Sequence, residues 1–263
     1  MKQDRYTTAL SKGQGMIPET IALLKIWNPG MSVPDLKSIA VKEGIIGRAT
    51  ALRVQDIVGR VFAARYLRED SKPALRLKQL LKFGVSPKDL NQVFLIHTAR
   101  VHTVLHDFIT ELYWPKYTAG APYITRSDAL GFLEQAADIG RIAPRWSETM
   151  MLRVARYLTG CLTDFQLAGE DRGGKRDLRP FTIKPLTTLY LAHDLHFDGF
   201  GDTPLVRHED WRLFGLEPYE VEKTLERVGS GHLIPQFSGD LVRITWTYKT
   251  MEEALRGIAA AGF

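Results

Sequence analysis

Between Ser86 and Trp114 the chain reads SPKDLNQVFLIHTARVHTVLHDFITELYW, and Val93, Ile96, Val101, Val104, Leu105, Phe108 and Leu112 fall near helical spacing within it. An apolar stripe of that length must be covered along its whole side, so a helix here commits much of the chain to packing around it. Ser86, Pro87 and Asp89 supply its start signal. The same period recurs in shorter segments. Pro18 suits a first helical position in MIPETIALLKIWNPG, and Ser32 with Asp35 opens SVPDLKSIAVKEG, which Gly44 stops. Ser127-Asp128 and Ser147-Glu148 open two more helices. Extended signals are confined to two hairpins, LAGEDRGGKRDLRPFTI turning at Gly173-Gly174 and HLIPQFSGDLVRITWTY turning at Ser238-Gly239. The expected fold is therefore mainly α, with two small β-hairpins. The loop PKYTAGAPYITR is expected to part an N-terminal helical domain, 1–115, from a C-terminal one, 126–263.

A grouping recurs along this frame. A short helix, a tight turn and a second helix are expected at about 34–66, 128–166 and 208–229, and a hairpin follows the second and the third at once. Helix-turn-helix plus hairpin is the outline of a winged helix, whose second helix can enter a major groove while the hairpin touches backbone. The three segments share little sequence, so the repetition is one of architecture.

Charge is distributed unevenly over these units. The net charge is +5, yet Lys37–Lys88 carries twelve Lys and Arg against four acids, and Arg141–Lys184 nine against five. From Pro185 onward the balance reverses to seven against twelve. Such asymmetry suits a chain that meets a polyanion with one part and something else with another. The stretch GRATALRVQDIVGRVFAARYLR holds five arginines and one acid, Asp56. On a 100° wheel Val54, Ile57, Val58 and Val61 face inward, while Arg53 and Arg60 align on another side with Ala49, Asp56 and Ala64 near them. Arg65 and Arg68 fall near the apolar face and are weaker candidates for contact with a partner. Several arginines on one face release counterions when they meet duplex DNA. The residues expected to bind DNA are Arg48, Arg53 and Arg60, then Arg145 and Arg153 with Arg156 around the middle unit, and Lys175 and Arg176 at the tip of its hairpin. The bland reading of each is a solvated charge. No Asn or Gln accompanies the Arg53–Arg60 stripe to pair with adenine, so backbone contact with weak sequence preference is expected. In the third unit PYEVEKTLERVG holds four glutamates with the preceding Glu217, which points to a protein partner or a structural role.

Other chemistries find little support. His102 and His106 are four apart on the central helix beside Asp107, and His193, Asp194, His196, Asp198 and Asp202 crowd LAHDLHFDGFGD, but packed or surface side chains explain both, and no metal is expected. No phosphate-binding loop, nucleophile elbow or dinucleotide fingerprint occurs; Gly13 and Gly15 in SKGQGM are lone glycines before a helix. The single cysteine, Cys161, sits in an apolar helical setting and reads as a packed thiol. With no stretch of about 18 uncharged apolar residues and no secretory leader in MKQDRYTTAL, a cytoplasmic location is expected, with no membrane partner.

The segment RYTTALSKGQGMIPETIALLKIW at Arg5–Trp27, followed by GRATALR, resembles the BrxA family of bacterial BREX phage-defence systems. The phrase Tyr6-Thr7-Thr8, Leu10, Lys12-Gly13, the helix start at Glu19-Thr20 and the ending at Trp27 carry the likeness. The resemblance implies a largely helical, NusB-like fold with helix-turn-helix elements, no enzymatic activity and no cofactor. It also implies binding to double-stranded DNA and action beside other BREX proteins, a DNA methyltransferase among them. A protein–protein adaptor and a NusB-type RNA-binding factor are the alternative readings. The family lends no functional residues, so the candidates above rest on charge placement alone.

Overall fold

A computed structural model describes residues 5–262. The chain is mainly α-helical, with two small antiparallel two-stranded sheets, as the periodicity predicts. It divides into two units that are discontinuous in sequence: Met1–Pro73 with His97–Phe181, and Ala74–Ile96 with Thr182–Phe263. The loop expected to separate two halves, 115–126, lies inside the first unit, because helices on both sides of it share that unit's core.

In the first unit, residues 51–66 form one helix. Thr50 caps it, accepting a hydrogen bond from the Arg53 amide at 3.3 Å, and Val54, Ile57, Val58 and Val61 are buried as the wheel requires. Its middle, Ile57–Phe62, is a π-helical turn. A wider turn rotates everything beyond it relative to an ideal wheel, so the expected alignment of Arg53 with Arg60 is lost. Gly59 lies in this turn, where a Cβ would come within 2.9 Å of the Lys37 side chain from the helix Val33–Lys42.

The long central helix is interrupted. Asn91–Val101 ends at His102, whose φ of −120° and ψ of 82° leave the helical region, and residues 103–118 resume with a second π turn at Phe108–Tyr113. The break is tied to Arg65, which is only 2% exposed. Its guanidinium donates to the Gln14 carbonyl at 2.7 Å, the Gly15 carbonyl at 3.3 Å, the Gly13 carbonyl, and His102 Nε2 at 3.3 Å. The two glycines of SKGQGM are thus packing residues: a Cβ on Gly13 would meet Met16 and Val61, and one on Gly15 would meet Asp164.

The sheets also refine the expectation. Gly173 and Gly174 do form the hairpin tip, both with positive φ (63° and 85°), which the tight turn between Arg172 and Lys175 demands. The strand leaving it, β2 (Lys175–Asp177), pairs with β1 (Tyr123–Thr125) from the preceding loop, whereas the other arm touches it through single bridges only. Ile124, fully buried, anchors β1.

In the second unit Pro185–Phe197 is buried nearly all round. Arg76 reaches Asp194 and, at 2.8 Å, Asp198. The second hairpin pairs β3 (Leu233–Ser238) with β4 (Leu241–Trp246), turning at Gly239-Asp240, one residue later than expected. The outward amides of β4 are covered: Ile244 donates to Asp202 at 2.9 Å and Val242 to Thr203 at 3.3 Å. Pro235 faces Ile244 across this non-bonded register position, so its missing N–H costs no ladder bond and blunts the open edge of β3. Behind the hairpin His196 stacks on Trp246 at 4.0 Å, His193 packs against Trp246 and Tyr248, and His232 Nδ1 lies 3.0 Å from Tyr248 Oη.

Two predictions follow from this packing. Replacing Arg65 by Met strands three carbonyls and an imidazole nitrogen, so urea denaturation is expected to show a loss of about 3 kcal/mol or more, which Arg65→Lys restores only in part. The second concerns pH. Burial depresses His102 to about 3, with the Arg65 charge adding to the effect, and burial depresses His193 to about 4 despite the Leu189 carbonyl. Both folded values lie below the ordinary 6.5, so both rings stabilise the fold fully above that pH. That contribution is lost as the pH falls from 6.5 toward 4. Urea midpoints should drop across that window, and His193→Phe should flatten the part due to this ring.

Candidate nucleic-acid interface

The helix Glu148–Asp164 follows Arg126–Asp138 and packs along it. Ser147 caps it, accepting from the Met150 amide at 3.3 Å, and Glu148 in the first turn complements the helix dipole. Beyond Glu148 no acid occurs until Asp164. Met151, Val154, Ala155 and Leu158 face the core. From Leu158 to Leu162 every residue is buried, so the C-terminal half is covered on all sides. The cover is the N-terminal segment: Gln14 lies against Gly160, where a Cβ would come 2.2 Å from Gln14 Oε1, and the Gly15 amide donates to Asp164 Oδ2 at 2.8 Å. Only the N-terminal half reaches solvent, presenting Thr149, Leu152, Arg153 and Arg156. Among the described residues Arg153 and Arg156 make no ion pair; the Arg156 guanidinium lies 5.6 Å from the ring of Tyr157.

The hairpin tip is more self-contained than its sequence suggests. Asp171 Oδ1 accepts from the Gly174 amide at 2.8 Å and so fixes the turn, while Asp171 Oδ2 lies 3.4 Å from Arg176 and 3.7 Å from Arg126. Arg176 is turned inward, its side chain 11% exposed, and donates to Thr163 Oγ1 at 2.5 Å. Arg172 pairs loosely with Asp177 at 3.8 Å. Lys175 is exposed, with its ammonium 4.6 Å from the ring of Tyr123.

The remaining candidates divide in the same way. Arg48 is exposed in the turn ahead of helix 51–66. Arg53 is half-buried and donates to the Lys12 carbonyl at 2.8 Å; Arg60 pairs with Asp56 at 3.3 Å; Arg145 pairs with Asp138 at 2.8 Å. All of these residues lie in the first unit, which holds twenty-three Lys and Arg against seventeen acids, whereas the second holds twelve against thirteen. The excess positive charge therefore belongs to one unit. Arg156 and Leu152 gain weight from the structure; the lack of acids from Thr149 to Thr163 is the sequence signal that marks their helix.

Other concavities and clusters are already occupied by their own chemistry. A cleft of about 490 Å³ lies beside Glu111, Phe132, Gln135 and Ile139, and its charged wall is Arg141, held by both Glu111 oxygens and by Tyr6 Oη at 2.9 Å. His106 Nδ1 lies 3.1 Å from Asp107, which also accepts from Tyr6 Oη at 2.7 Å. Among the described residues no group of three or more His, Cys, Asp or Glu is placed to hold a metal ion. No helix among them is long and apolar enough to cross a membrane. Cys161 is fully buried, and desolvation pushes its thiol well above the ordinary range.

A crystal structure of an uncharacterized protein from Magnetospirillum magneticum matches with a TM-score of 0.60, covering 80% of this chain and 98% of that one at 17% sequence identity, a likeness of fold. No curated protein matches the chain. The BrxA family matches over residues 4–194, a span that takes in the N-terminal phrase, the Arg65 anchor and the helix Glu148–Asp164. The chain belongs to the BrxA family, and thus to the components of BREX phage-defence systems.

Proposed function

We propose that the chain is a double-stranded DNA-binding component of its BREX system that acts by binding rather than by catalysis. The observation that carries this reading is the exposed N-terminal half of Glu148–Asp164, with Arg153 and Arg156 free of carboxylate partners and Lys175 on the hairpin that follows. In helix-turn-helix proteins it is the N-terminal residues of the second helix that reach the groove. Arginines that spend no binding energy on a protein carboxylate have all of it available for phosphate. Arg48 extends the basic surface. Arg53, Arg60, Arg145 and Arg176 are already engaged and contribute less. The other BREX proteins, a methyltransferase among them, are the partners beside which such a component works.

A second reading, docking to another protein, is favoured for the second unit by one observation. Glu217, Glu220 and Glu226 are exposed on or beside the helix Pro218–Val228, next to Tyr219 at 68% exposure and close in sequence to the apolar outer positions Ile234 and Leu241 of β3 and β4. A polyanion would be repelled there, and exposed apolar groups suit a protein partner.

Mobility shifts with duplex DNA, single-stranded DNA and RNA at matched ionic strength test the first reading, with duplex expected to bind most tightly. Arg153→Ala/Arg156→Ala should lower the slope of log affinity against log salt by about 1.8, two phosphate contacts' worth. Arg53→Ala/Arg60→Ala should change it less. Preference for RNA would move the assignment to an RNA-binding factor.

A further inference from the structure

The exposed half of Glu148–Asp164 carries more than charge. Thr149, Leu152, Arg153 and Arg156 are separated by three or four residues and share one face of the helix. Leu152 is 43% exposed although it stands between a threonine and two arginines. Nothing in the fold requires an aliphatic side chain there: its neighbours Met151, Val154 and Ala155 supply the packing against the core. A leucine contributes nothing to binding phosphate, which is a hydrated anion. What it fits is an apolar group presented at the same depth as the arginines' partners. Duplex DNA offers one such group on its major-groove edges, the C5-methyl of thymine. The groove is about 12 Å wide and admits a single helix. The covered C-terminal half of this helix restricts any such entry to the turn and a half that holds these four residues.

On the DNA-binding reading proposed above, we infer that Leu152 is a specificity-determining residue: its side chain and the Thr149 methyl pack on thymine C5-methyl groups in the major groove, while Arg153 and Arg156 hold the flanking phosphates. The site then prefers thymine-bearing duplexes without reading a strict sequence, since a methyl contact discriminates far less than a bidentate hydrogen-bonded pair. Glu148, the one acid on this half, sits at the helix start and keeps the arginines from binding indiscriminately at that end.

The test replaces every thymine of one short duplex by deoxyuridine, which removes the C5-methyl and leaves base pairing intact, and compares affinities by fluorescence anisotropy with the full-length protein. The wild type is expected to bind the uracil duplex about fourfold more weakly for each methyl contacted, the equivalent of one buried methyl group. Leu152→Ala, half-exposed and so safe for folding, is expected to bind both duplexes alike with an unchanged salt slope. Equal wild-type affinities for the two duplexes, with duplex binding intact, would overturn the inference and leave the DNA-binding reading standing. Discrimination that persists in Leu152→Ala but disappears in Leu52→Ala would overturn it in favour of the helix 51–66. Absence of any duplex binding by the wild type would defeat both.

Discussion

A guanidinium buried among neutral acceptors governs the architecture of the first unit. Arg65 has no carboxylate among its hydrogen-bond acceptors; the Gly13, Gln14 and Gly15 carbonyls and His102 Nε2 satisfy it instead. A buried charge is tolerated only when its donors are satisfied, so the N-terminal segment has to lie where those carbonyls reach it. Once there, Gln14 and Gly15 cover Gly160 and Asp164 and seal the lower half of the helix Glu148–Asp164. His102 must abandon helical geometry to bring its ring to the same guanidinium, and with it neutral beside a fixed positive charge the central helix is broken at a defined place. The exposed interface is thus defined by what the anchor covers as much as by what it leaves open.

The anchor also explains why charge counting along the chain gives a misleading map. Of the five arginines in GRATALRVQDIVGRVFAARYLR, Arg65 is bound to carbonyls, Arg53 donates to the Lys12 carbonyl and Arg60 holds Asp56. Arg76, in the same basic stretch, belongs to the other unit and is neutralised by Asp194 and Asp198 more than a hundred residues away. An arginine engaged in a buried contact gives up that contact's energy before it can meet phosphate, whereas an exposed one gives up only water. By that criterion Arg48, Arg153 and Arg156 outrank the stripe that the helical wheel singles out. The acids that cancel a charge are often distant in sequence, and no local window contains them.

What was legible in the sequence is what local physics decides. Ser32, with its hydroxyl accepting from the Asp35 amide, Ser147, the Pro18 helix start, the glycine turns and the inward face of Val54, Ile57, Val58 and Val61 all stand where local rules put them. At Ser127-Asp128 the rule was right and the register was off by two: Thr125 is the cap, in a reciprocal box with Asp128. The two π turns, the break at His102 and the pairing of β2 with Tyr123–Thr125 were not legible, because each is imposed by a partner far along the chain. The same holds for Gly13 and Gly15. As lone glycines before a helix they carry no message; against Val61, Met16 and Asp164 they are required by close approach.

The two hairpin-bearing units then differ through one physical variable. Both follow a helix pair with a short hairpin, yet the exposed half of Glu148–Asp164 offers arginines without acids, and the helix Pro218–Val228 offers glutamates with one lysine already held by Glu226 at 3.3 Å. A phosphate backbone would be drawn to the first and repelled by the second, whatever their backbone likeness. The exposed apolar groups divide likewise: Leu152 lies among cations, where a methyl-bearing groove is the fitting partner, and Tyr219 lies among carboxylates, where a protein is. Similar helix-and-hairpin outlines in one chain therefore do not imply one repeated task. Side-chain charge on the exposed turn decides which polymer each can meet, and the backbone decides only how far that turn projects.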